Sequence, residues 1–322
     1  MISVVIPAYN AARTLPACLD ALNDQTVPRD QYEVIVVNDG STDATGQLAR
    51  ERGAIVIDQP NQGSSAAKNT GVRAARGDLV LFVDADCVPV RDWVAHLTCA
   101  MFDPTVAAAR GSLDTRQWSG VALFTQVERE EKDALQARLR EIAFVPSVTA
   151  AFRRDALLAV GLFNTSLPTD EDAELSFRMI EHGYRMIYVP AARVYHVHPE
   201  HVSEYFRRKF RYAYWRIQIH RRFPQRIIND TFTPQTQKVQ VLLFYLLLAF
   251  LPFFPFSRRA RRGFLLTLGG FLVTSLRLIK FAWQRRGRRV ALWVVPMLFV
   301  RAAAGGFGLL VGLLDEVRRQ ER

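Results

Sequence analysis

Cysteine and histidine are scarce in this chain. Its 322 residues include 3 cysteines and 6 histidines. Three cysteines are too few for a disulfide framework, show no metal-ligand spacing, and fit a reducing compartment. The N-terminus has no basic leader and only a short apolar run, so we expect a first strand there rather than a secretory signal.

Acidic residues are almost missing from the second part of the chain. Residues 1–200 contain 19 Lys and Arg against 26 Asp and Glu, whereas residues 201–322 contain 23 against 5. A basic segment is typical of proteins that bind nucleic acid or an anionic membrane. Because these basic residues flank long apolar runs, we expect a membrane partner and no nucleic acid.

Three apolar stretches follow residue 238. Residues 239–256 have no charge over 18 positions, which reaches the lower limit for crossing a bilayer. Residues 263–283 and 290–314 are apolar but contain arginines. A two-span hairpin would leave the RRARR cluster outside, against the positive-inside tendency. The sequence therefore predicts a membrane-associated region, with some segments re-entrant or interfacial.

Strands alternate with helices over the first hundred residues. Short apolar runs predict strands at 2–6, 33–37, 54–58 and 79–83. Helical spacing predicts helices at 11–23 and 63–75, and a third helix, capped by Ser41 or Thr42, that ends at residue 52. This alternation is typical of a parallel α/β sheet, in which ligands bind beyond the carboxyl ends of the strands. Further predicted elements are strands at 106–113 and 145–153, helices at 120–142 and 169–183, and two short strands within 185–198.

Composition and hydrophobic pattern divide the chain into three parts. We expect an α/β catalytic domain at 1–222, a linker at 223–238 and a hydrophobic helical membrane region at 239–322. Residues 202–222 form a basic amphipathic helix rich in aromatics. Such a helix fits a membrane interface, or packing against the catalytic domain, and the sequence leaves both interpretations open.

Two carboxylates follow the fourth predicted strand, in the stretch VLFVDADCVP. Asp84 and Asp86 are two residues apart where an apolar strand ends. Two ionised carboxylates this close repel each other unless a positive charge lies between them. A D-x-D pair at such a place can hold one hard divalent cation, Mg²⁺ or Mn²⁺, through oxygen ligands.

An ordered set of motifs resembles the family 2 glycosyltransferases, which have the GT-A fold. The motifs are VVIPAYN (4–10), VVNDGSTD (36–43), GSSAAKNTGVRAARGD (63–78), FVDAD (82–86) and EDAELSFR (171–178). The resemblance covers roughly residues 1–222. It implies a mainly parallel nucleotide-binding sheet flanked by helices, and transfer of a sugar from a nucleotide-diphosphate donor with a divalent metal.

The resemblance also implies residues for the donor site. Pro7, Tyr9 and Asn10 match part of the nucleotide pocket, Asp39 matches the acid that binds the base, and Lys68 and Asn69 match the "KN" helix start. By the same match Asp84 contacts ribose or metal, and Asp86 is the principal metal ligand. Without the resemblance, Asp39 could instead be a turn residue or a helix cap, and Lys68 could be a surface residue.

The EDAE motif supplies the predicted catalytic base. By the resemblance Asp172 takes the proton of the acceptor hydroxyl, which is a poor nucleophile until a carboxylate does so. Glu171 orients the site, and Glu174 caps the helix or faces solvent. Without the resemblance, the same acids could simply be a favourable charge cluster at a helix N-terminus.

The resemblance places further metal and diphosphate contacts downstream. His196 matches a third metal ligand, with His198 as the alternative because alternate strand residues share a face. Arg208 and Arg211, with Arg207 and Arg216, match a basic helix near the diphosphate. The processive synthases have Q-x-x-R-W there, whereas this chain has RKFRYAYWR. That departure favours transfer of one sugar per acceptor.

These observations predict an inverting glycosyltransferase that acts on a lipid-linked or cell-envelope glycan acceptor. We expect it at a membrane, the bacterial inner membrane, with its catalytic domain in the cytoplasm. One alternative is a sugar-nucleotide pyrophosphorylase, although PAYNAART lacks the Gly-rich phosphate loop of that class. Another is a membrane-anchored scaffold without activity, which the intact DAD and ED motifs argue against.

Overall fold

The computed structural model describes residues 1–226 and 234–320. They form two compact units. The first contains Met1–Arg116 and Asp133–Val197, and the second contains Gln117–Lys132 and His198–Arg322. Of the predicted linker at 223–238, residues 227–233 lie outside the described part. The predicted catalytic domain ended at residue 222, and the packing instead groups residues 117–132 and 198–222 with the second unit.

All the described strands belong to the first unit. They are β1 Ile2–Ala8, β2 Tyr32–Asp39, β3 Ile55–Gln59, β4 Leu79–Val83, β5 Cys87–Pro89, β6 Val106–Asp114, β7 Thr149–Arg153 and β8 Arg185–His196. The described helices are α1 Leu15–Asn23, α2 Thr45–Glu51, α3 Ser64–Ala74, α4 Trp93–Ala100, α5 Gly120–Gln136, α6 Arg154–Ala159, α7 Glu171–Glu181, α8 Val202–Arg222, α9 Gln235–Phe250, α10 Arg258–Arg286 and α11 Arg288–Gln320.

The strands form one mixed sheet in the order β3-β2-β1-β4-β7-β6-β8-β5. The first four are parallel, as the sequence pattern predicts. Strand β7 then runs antiparallel to β4 and β6, and β6 is parallel to β8. Because β1, β2 and β4 are parallel neighbours, the residues that follow them emerge at one edge of the sheet.

The sheet is buried on both faces. One face packs on a cluster that includes Val4, Ile6, Leu81 and Trp93, and the other on a cluster that includes Val5, Phe82 and Phe152. Alternate residues of a strand point to opposite faces, so the near-continuous apolar runs of β1 and β4 supply both clusters. This double burial explains why these strands have no polar alternation.

Two parts of the sheet differ from the prediction. Residues 185–198 were expected to form two strands and instead form the single strand β8. Its pairing with β6 changes register between Tyr188 and Arg193, so the interruption expected there is a bulge within one strand. The short strand β5 was not predicted because Pro89 was interpreted as the end of any strand. It lies at the sheet edge, where proline's missing N–H is tolerated.

The second unit contains three helices long and apolar enough to cross a membrane. They cover Gln235–Phe253, Arg258–Arg286 and Arg288–Arg318. Their core includes Phe271, Leu278, Val294 and Leu298, together with Phe124 of α5. Many other apolar side chains of these helices are exposed, for example Leu266 at 77%. An exposed apolar surface of this kind is expected for helices that face lipid.

Helix α8 packs tightly along α11. A Cβ added at Gly308 would lie 2.4 Å from the carbonyl oxygen of Phe210, and one at Gly312 would lie 2.8 Å from that of Tyr214. Small residues four apart let two helix backbones approach closely, as in Gly-x-x-x-Gly pairs. Helix α8 therefore packs against α11 within the second unit. The two interpretations given for residues 202–222, a membrane interface and packing against the catalytic domain, stay predictions.

Candidate active site

A buried lysine joins the predicted site acids. Lys68 lies in the second turn of α3, not at the helix start as the motif implied, and is 3% exposed. Its Nζ atom donates a hydrogen bond to Glu171 Oε1 at 2.7 Å and lies 3.5 Å from Asp172 Oδ1. These two acids begin α7. The alternative interpretation of Lys68 as a surface residue is therefore wrong.

The DAD acids belong to the same cluster. Burial raises the pKa of Asp84 to about 7, and the negative charges of Asp86, Asp172 and Glu171 contribute while Lys68 opposes them. Charges act on one another in this way only when they are near each other in a poorly solvated space. The carboxylates after β4 and those at the start of α7 thus lie near one another.

Glu171 and Asp172 are neighbours with opposite pKa shifts. Burial disfavours both charges, but the close contact with Lys68 leaves the pKa of Glu171 below its usual range. Burial, together with the charge of Glu171, raises the pKa of Asp172 despite Lys68 and hydrogen bonds from Ser147. A raised pKa makes a carboxylate a better proton acceptor, and pairs of this kind commonly mark acid and base roles.

A candidate metal centre lies at the end of β4 and β8. His196 Nε2 is 3.7 Å from Asp86 Oδ2, and Cys87 Sγ is 3.7 Å from Asp86 Oδ1. One ligand atom from each residue fits within a group no more than 4.8 Å across. Pairing of β5 with β8 sets Cys87 opposite His196. This antiparallel pair therefore brings the histidine to the D-x-D acids.

The chemistry of these three side chains fits a hard divalent cation held by Asp86 and His196. Burial raises the pKa of Cys87 well above its usual value, with a contribution from Asp84 and Asp86. A protonated thiol is a poor ligand for Mg²⁺ or Mn²⁺, which prefer oxygen. Asp84 supplies further carboxylate oxygens beside the pair. We do not assign Cys87 a ligand role.

His198, the alternative metal ligand, belongs to the second unit. Strand β8 ends at His196, so the rule of alternating strand residues does not extend to it. Its Nε2 atom is 2.8 Å from Gln126 Oε1. Burial, with the charges of Arg129 and Arg208, lowers its pKa to about 3. The described structure thus favours His196.

The turn after β1 and the turn after β2 are joined by hydrogen bonds. Asn10 has a left-handed backbone (φ 49°), which asparagine tolerates. Its side-chain oxygen accepts a hydrogen bond from the Thr42 backbone at 2.8 Å. Tyr9 beside it is 54% exposed, and Pro7 is a half-buried residue near the end of β1. These residues form one wall at the carboxyl edge of the parallel strands.

Asp39 is 3% exposed and holds the loop before α3. Its carboxylate accepts hydrogen bonds from the backbone of Gln62 and Gly63 at 2.9 Å each, and from the Gln59 side chain at 2.6 Å. Gly40 follows with φ +76°, where a Cβ would lie 2.7 Å from the Asn61 nitrogen. The aspartate thus shapes this loop, and binding of a base by its remaining capacity stays a prediction.

Asn69 forms two hydrogen bonds with the backbone of Phe163 through its side-chain amide. Its Nδ2 donates to the carbonyl of Phe163 at 2.8 Å, and its Oδ1 accepts from the backbone N–H of Phe163 at 2.9 Å. The Phe163 ring in turn lies 4.9 Å from Lys68 Nζ. The amide therefore fixes the segment before α7 beneath the lysine, and its predicted contact with the nucleotide stays a prediction.

The predicted diphosphate arginines belong to the second unit. Arg208 donates from Nε to the hydroxyl of Tyr212 at 3.0 Å, and Arg211 is exposed. Both lie on α8, with Arg207 and Arg216. Their place beside the diphosphate stays a prediction.

Comparison with known proteins decides the family. Residues 3–161 match the model of glycosyl transferase family 2. Residues 3–161 are therefore a glycosyltransferase family 2 domain. This family assignment favours a transferase over the pyrophosphorylase and scaffold alternatives.

Two curated relatives support the glycosyltransferase assignment. Glycosyltransferase AglE of Haloferax volcanii is 28% identical over 225 residues, covering 68% of this chain and 73% of the relative. An N-acetylglucosaminyltransferase of Rhizobium sp. is 31% identical over 233 residues, covering 66% and 52%. The chain thus spans about three quarters of the first relative and about half of the second.

A solved structure confirms the predicted fold of this glycosyltransferase. The mannosyltransferase PcManGT from Pyrobaculum calidifontis, in complex with GDP-Man and Mn²⁺, matches with a TM-score of 0.62 and 23% identity. The match covers 98% of this chain and 87% of the neighbour. The GT-A α/β fold expected from the motifs is confirmed, with the three apolar helices after it.

Two features of this glycosyltransferase's site escaped sequence reasoning. Ser147 hydrogen-bonds to Asp172 through its side chain and backbone. It lies in the stretch predicted as a strand at 145–153, but the strand begins only at Thr149 and the apolar pattern does not indicate this contact. Glu174 was expected to cap the helix or face solvent. It is 2% exposed and paired with Arg178 at 2.7 Å. An oppositely charged residue four positions later was the signal that could have predicted this burial.

Proposed function

We propose that this chain is an inverting, metal-dependent glycosyltransferase. It would move one sugar from a nucleotide-diphosphate donor to a hydroxyl of a lipid-linked or cell-envelope glycan. The observation that carries the proposal is the cluster of Asp84, Asp86, Glu171 and Asp172 around Lys68, in which Asp172 has a raised pKa. Such a cluster supplies both a cation site and a base.

The acceptor half of the reaction depends on Asp172. Its carboxylate would accept the hydroxyl proton as the acceptor oxygen forms its bond to the anomeric carbon. Glu171 stays ionised beside Lys68 and would fix the position of the base. Ser147 holds Asp172 from the other side. Direct displacement on the face opposite the leaving group inverts the anomeric centre, so one base is sufficient.

The donor half depends on the DAD acids and His196. Asp86 and His196 would hold a divalent cation, with Asp84 beside them for metal or ribose. The cation would neutralise the negative charge that develops on the leaving nucleoside diphosphate. Pro7, Tyr9, Asn10, Asp39 and the "KN" pair would surround the nucleotide. The Mn²⁺ of the mannosyltransferase from Pyrobaculum calidifontis supports a divalent metal without deciding between Mn²⁺ and Mg²⁺.

The acceptor class and the location are argued from the second unit. Three helices with the length and composition of membrane spans favour an acceptor held at a bilayer. A soluble donor would then reach the catalytic unit from the cytoplasm, and we propose the bacterial inner membrane as its location. Donor sugar and acceptor stay unassigned.

Substitution of the base tests the proposal. We expect Asp172→Asn to lower turnover by about 10²–10⁴-fold, because the amide cannot accept the proton. Binding of the donor nucleotide in Mn²⁺, measured by calorimetry, should change less than threefold. Asp155→Asn is the matched control, since Asp155 also lies in the first turn of a helix but is exposed. Turnover retained by the Asp172 variant would remove Asp172 as the base.

A further inference from the structure

The second unit contains a cavity of about 520 Å³. Its walls come from α8, the start of α9, the second half of α11, and Lys132 of α5. Its apolar lining residues, which we call the apolar wall, include Ile217, Val241, Leu309 and Leu313. The lining of α11 runs from Arg301 to Leu313, which is about 18 Å along a helix. The cavity is long enough for the head group of an amphiphile and the first part of its chain.

The other wall of the cavity is strongly basic. Its Lys and Arg residues are Lys132, Lys209, Arg216, Arg221, Lys238 and Arg301. No Asp or Glu occurs among the described residues that line it. Arginine binds phosphate with two parallel hydrogen bonds, and lysine binds it as a point charge. The chemistry of this wall therefore selects an anion, with phosphate favoured.

Two of the cations of this wall share one buried carboxylate behind it. Glu128 accepts from Arg301 at 2.7 Å and pairs with Lys209 at 3.1 Å. Burial would raise the pKa of Glu128, but the positive charges of Lys209 and Arg301 lower it to about 2. Arg221 pairs with Glu316. One buried carboxylate thus serves two cations of the lining.

Lys132 experiences the excess positive charge. Burial and then the neighbouring charge of Lys209 lower its pKa to about 7, although Glu128 opposes the shift. A lysine with this pKa is partly deprotonated at neutral pH. An anion in the cavity would restore the charged form of Lys132 and be attracted by it.

We propose that this cavity binds a lipid that carries a phosphate head group, with its hydrocarbon chain along the apolar wall. Gln237 and Lys238 of the lining lie in the first turn of α9, at the end of the first apolar helix. Head groups of a bilayer lie at the ends of spanning helices, so the depth fits a lipid phosphate. The placement depends on the proposed membrane association but not on the proposed base or metal.

Binding to the full-length protein in detergent tests the site. Probes are dodecyl phosphate, dodecylphosphocholine with the same chain, and inorganic phosphate, each measured by calorimetry. We expect dodecyl phosphate to bind at least tenfold more tightly than the other two. Equal affinity for inorganic phosphate would show an anion site without a lipid and would overturn the proposal. Equal affinity for the phosphocholine would overturn the role of the basic wall.

Two substitutions separate the head-group wall from the chain wall. Lys132→Met should weaken dodecyl phosphate binding about tenfold, and it removes a like-charge contact, so the fold should persist. Gly305→Leu should fill the apolar side, because a Cβ there is 3.6 Å from Val241. That variant should lose the preference for the alkyl chain and keep weak phosphate binding. Lys280→Met on α10, exposed and outside the lining, is the matched control.

The outcome is independent of the catalytic proposal. Asp172→Asn protein should bind dodecyl phosphate as tightly as the wild type does. If both cavity variants bind like the Lys280 control, the site is refuted whatever the enzyme does. If they lose the lipid while sugar transfer proves to use another acceptor, the lipid site stands and the acceptor assignment fails.

Discussion

The two units contain charge clusters of opposite design. In the first, one buried cation, Lys68, is surrounded by the carboxylates of Asp84, Glu171 and Asp172. In the second, one buried anion, Glu128, is surrounded by Lys209, Arg301 and Lys132. Burial and like charges raise the pKa of Asp84 to about 7 in one cluster and lower that of Lys132 to about 7 in the other. Each cluster has a surplus of one sign.

The difference indicates what each cluster binds. Surplus carboxylates in a cleft favour a cation, and surplus cations in a cavity favour an anion. The central ion of each cluster prevents the surplus charges from driving the elements apart while no ligand is bound. Removing that ion should therefore be more damaging than removing any one of the charges around it.

The largest effect is expected for Lys68→Met. It leaves Glu171 and Asp172 without their buried partner, and loss of one member of a buried ion pair costs about 3–5 kcal/mol. Chemical unfolding of the purified protein, with and without Mn²⁺, measures the loss. Arg73→Met on the exposed side of the same helix is the control and should change stability by less than about 0.5 kcal/mol. Equal stability of the two variants would refute the central role of Lys68.

Glu128→Gln should come next, with a loss of about 3 kcal/mol. It removes the negative charge that Arg301 and Lys209 share, and leaves one acceptor oxygen where Tyr205 and Arg301 now have two. The melting temperature in detergent reports the change, and Glu204→Gln at an exposed position of α8 is the control. Dodecyl phosphate should restore part of the loss, because it supplies another anion. If dodecyl phosphate restores none of the lost stability, the cluster around Glu128 does not bind an anion in the way that we propose.

The smallest effect is a pH dependence set by Lys132. Its folded pKa of about 7 is below the unfolded value of about 10.4, so the unfolded chain binds more protons between these limits. Stability without ligand should therefore rise with pH from 7 to 10. Lys132→Met should flatten the rise and Lys280→Met should not. Identical slopes in all three proteins would show that Lys132 is not strained by its neighbours.

Prediction from sequence succeeded where one local pattern determines the structure. The strand predicted at 79–83 was found at those residues, and the strands predicted at 2–6 and 33–37 extend only a few residues further. Apolar runs closed by polar turn residues identify buried parallel strands whatever surrounds them. The acids that follow β2 and β4 lie at the carboxyl ends of parallel strands, which share one edge of the sheet.

Prediction failed where distant contacts decide the outcome. Nothing near Ser147 shows that it hydrogen-bonds to Asp172, and β5 exists only because Cys87 pairs with His196. The helix predicted at 120–142 ends at Gln136. Its grouping with the apolar helices depends on residues such as Arg301, which pairs with Glu128 173 positions earlier in the chain.

The glycines of α11 have a mechanical consequence. Gly308 and Gly312 let the backbone of α8 approach α11 closely, because neither glycine has a side chain to separate the two helices. Two helices packed this closely are expected to move together. A tilt of the last apolar helix would therefore move the arginine-rich helix α8 with it.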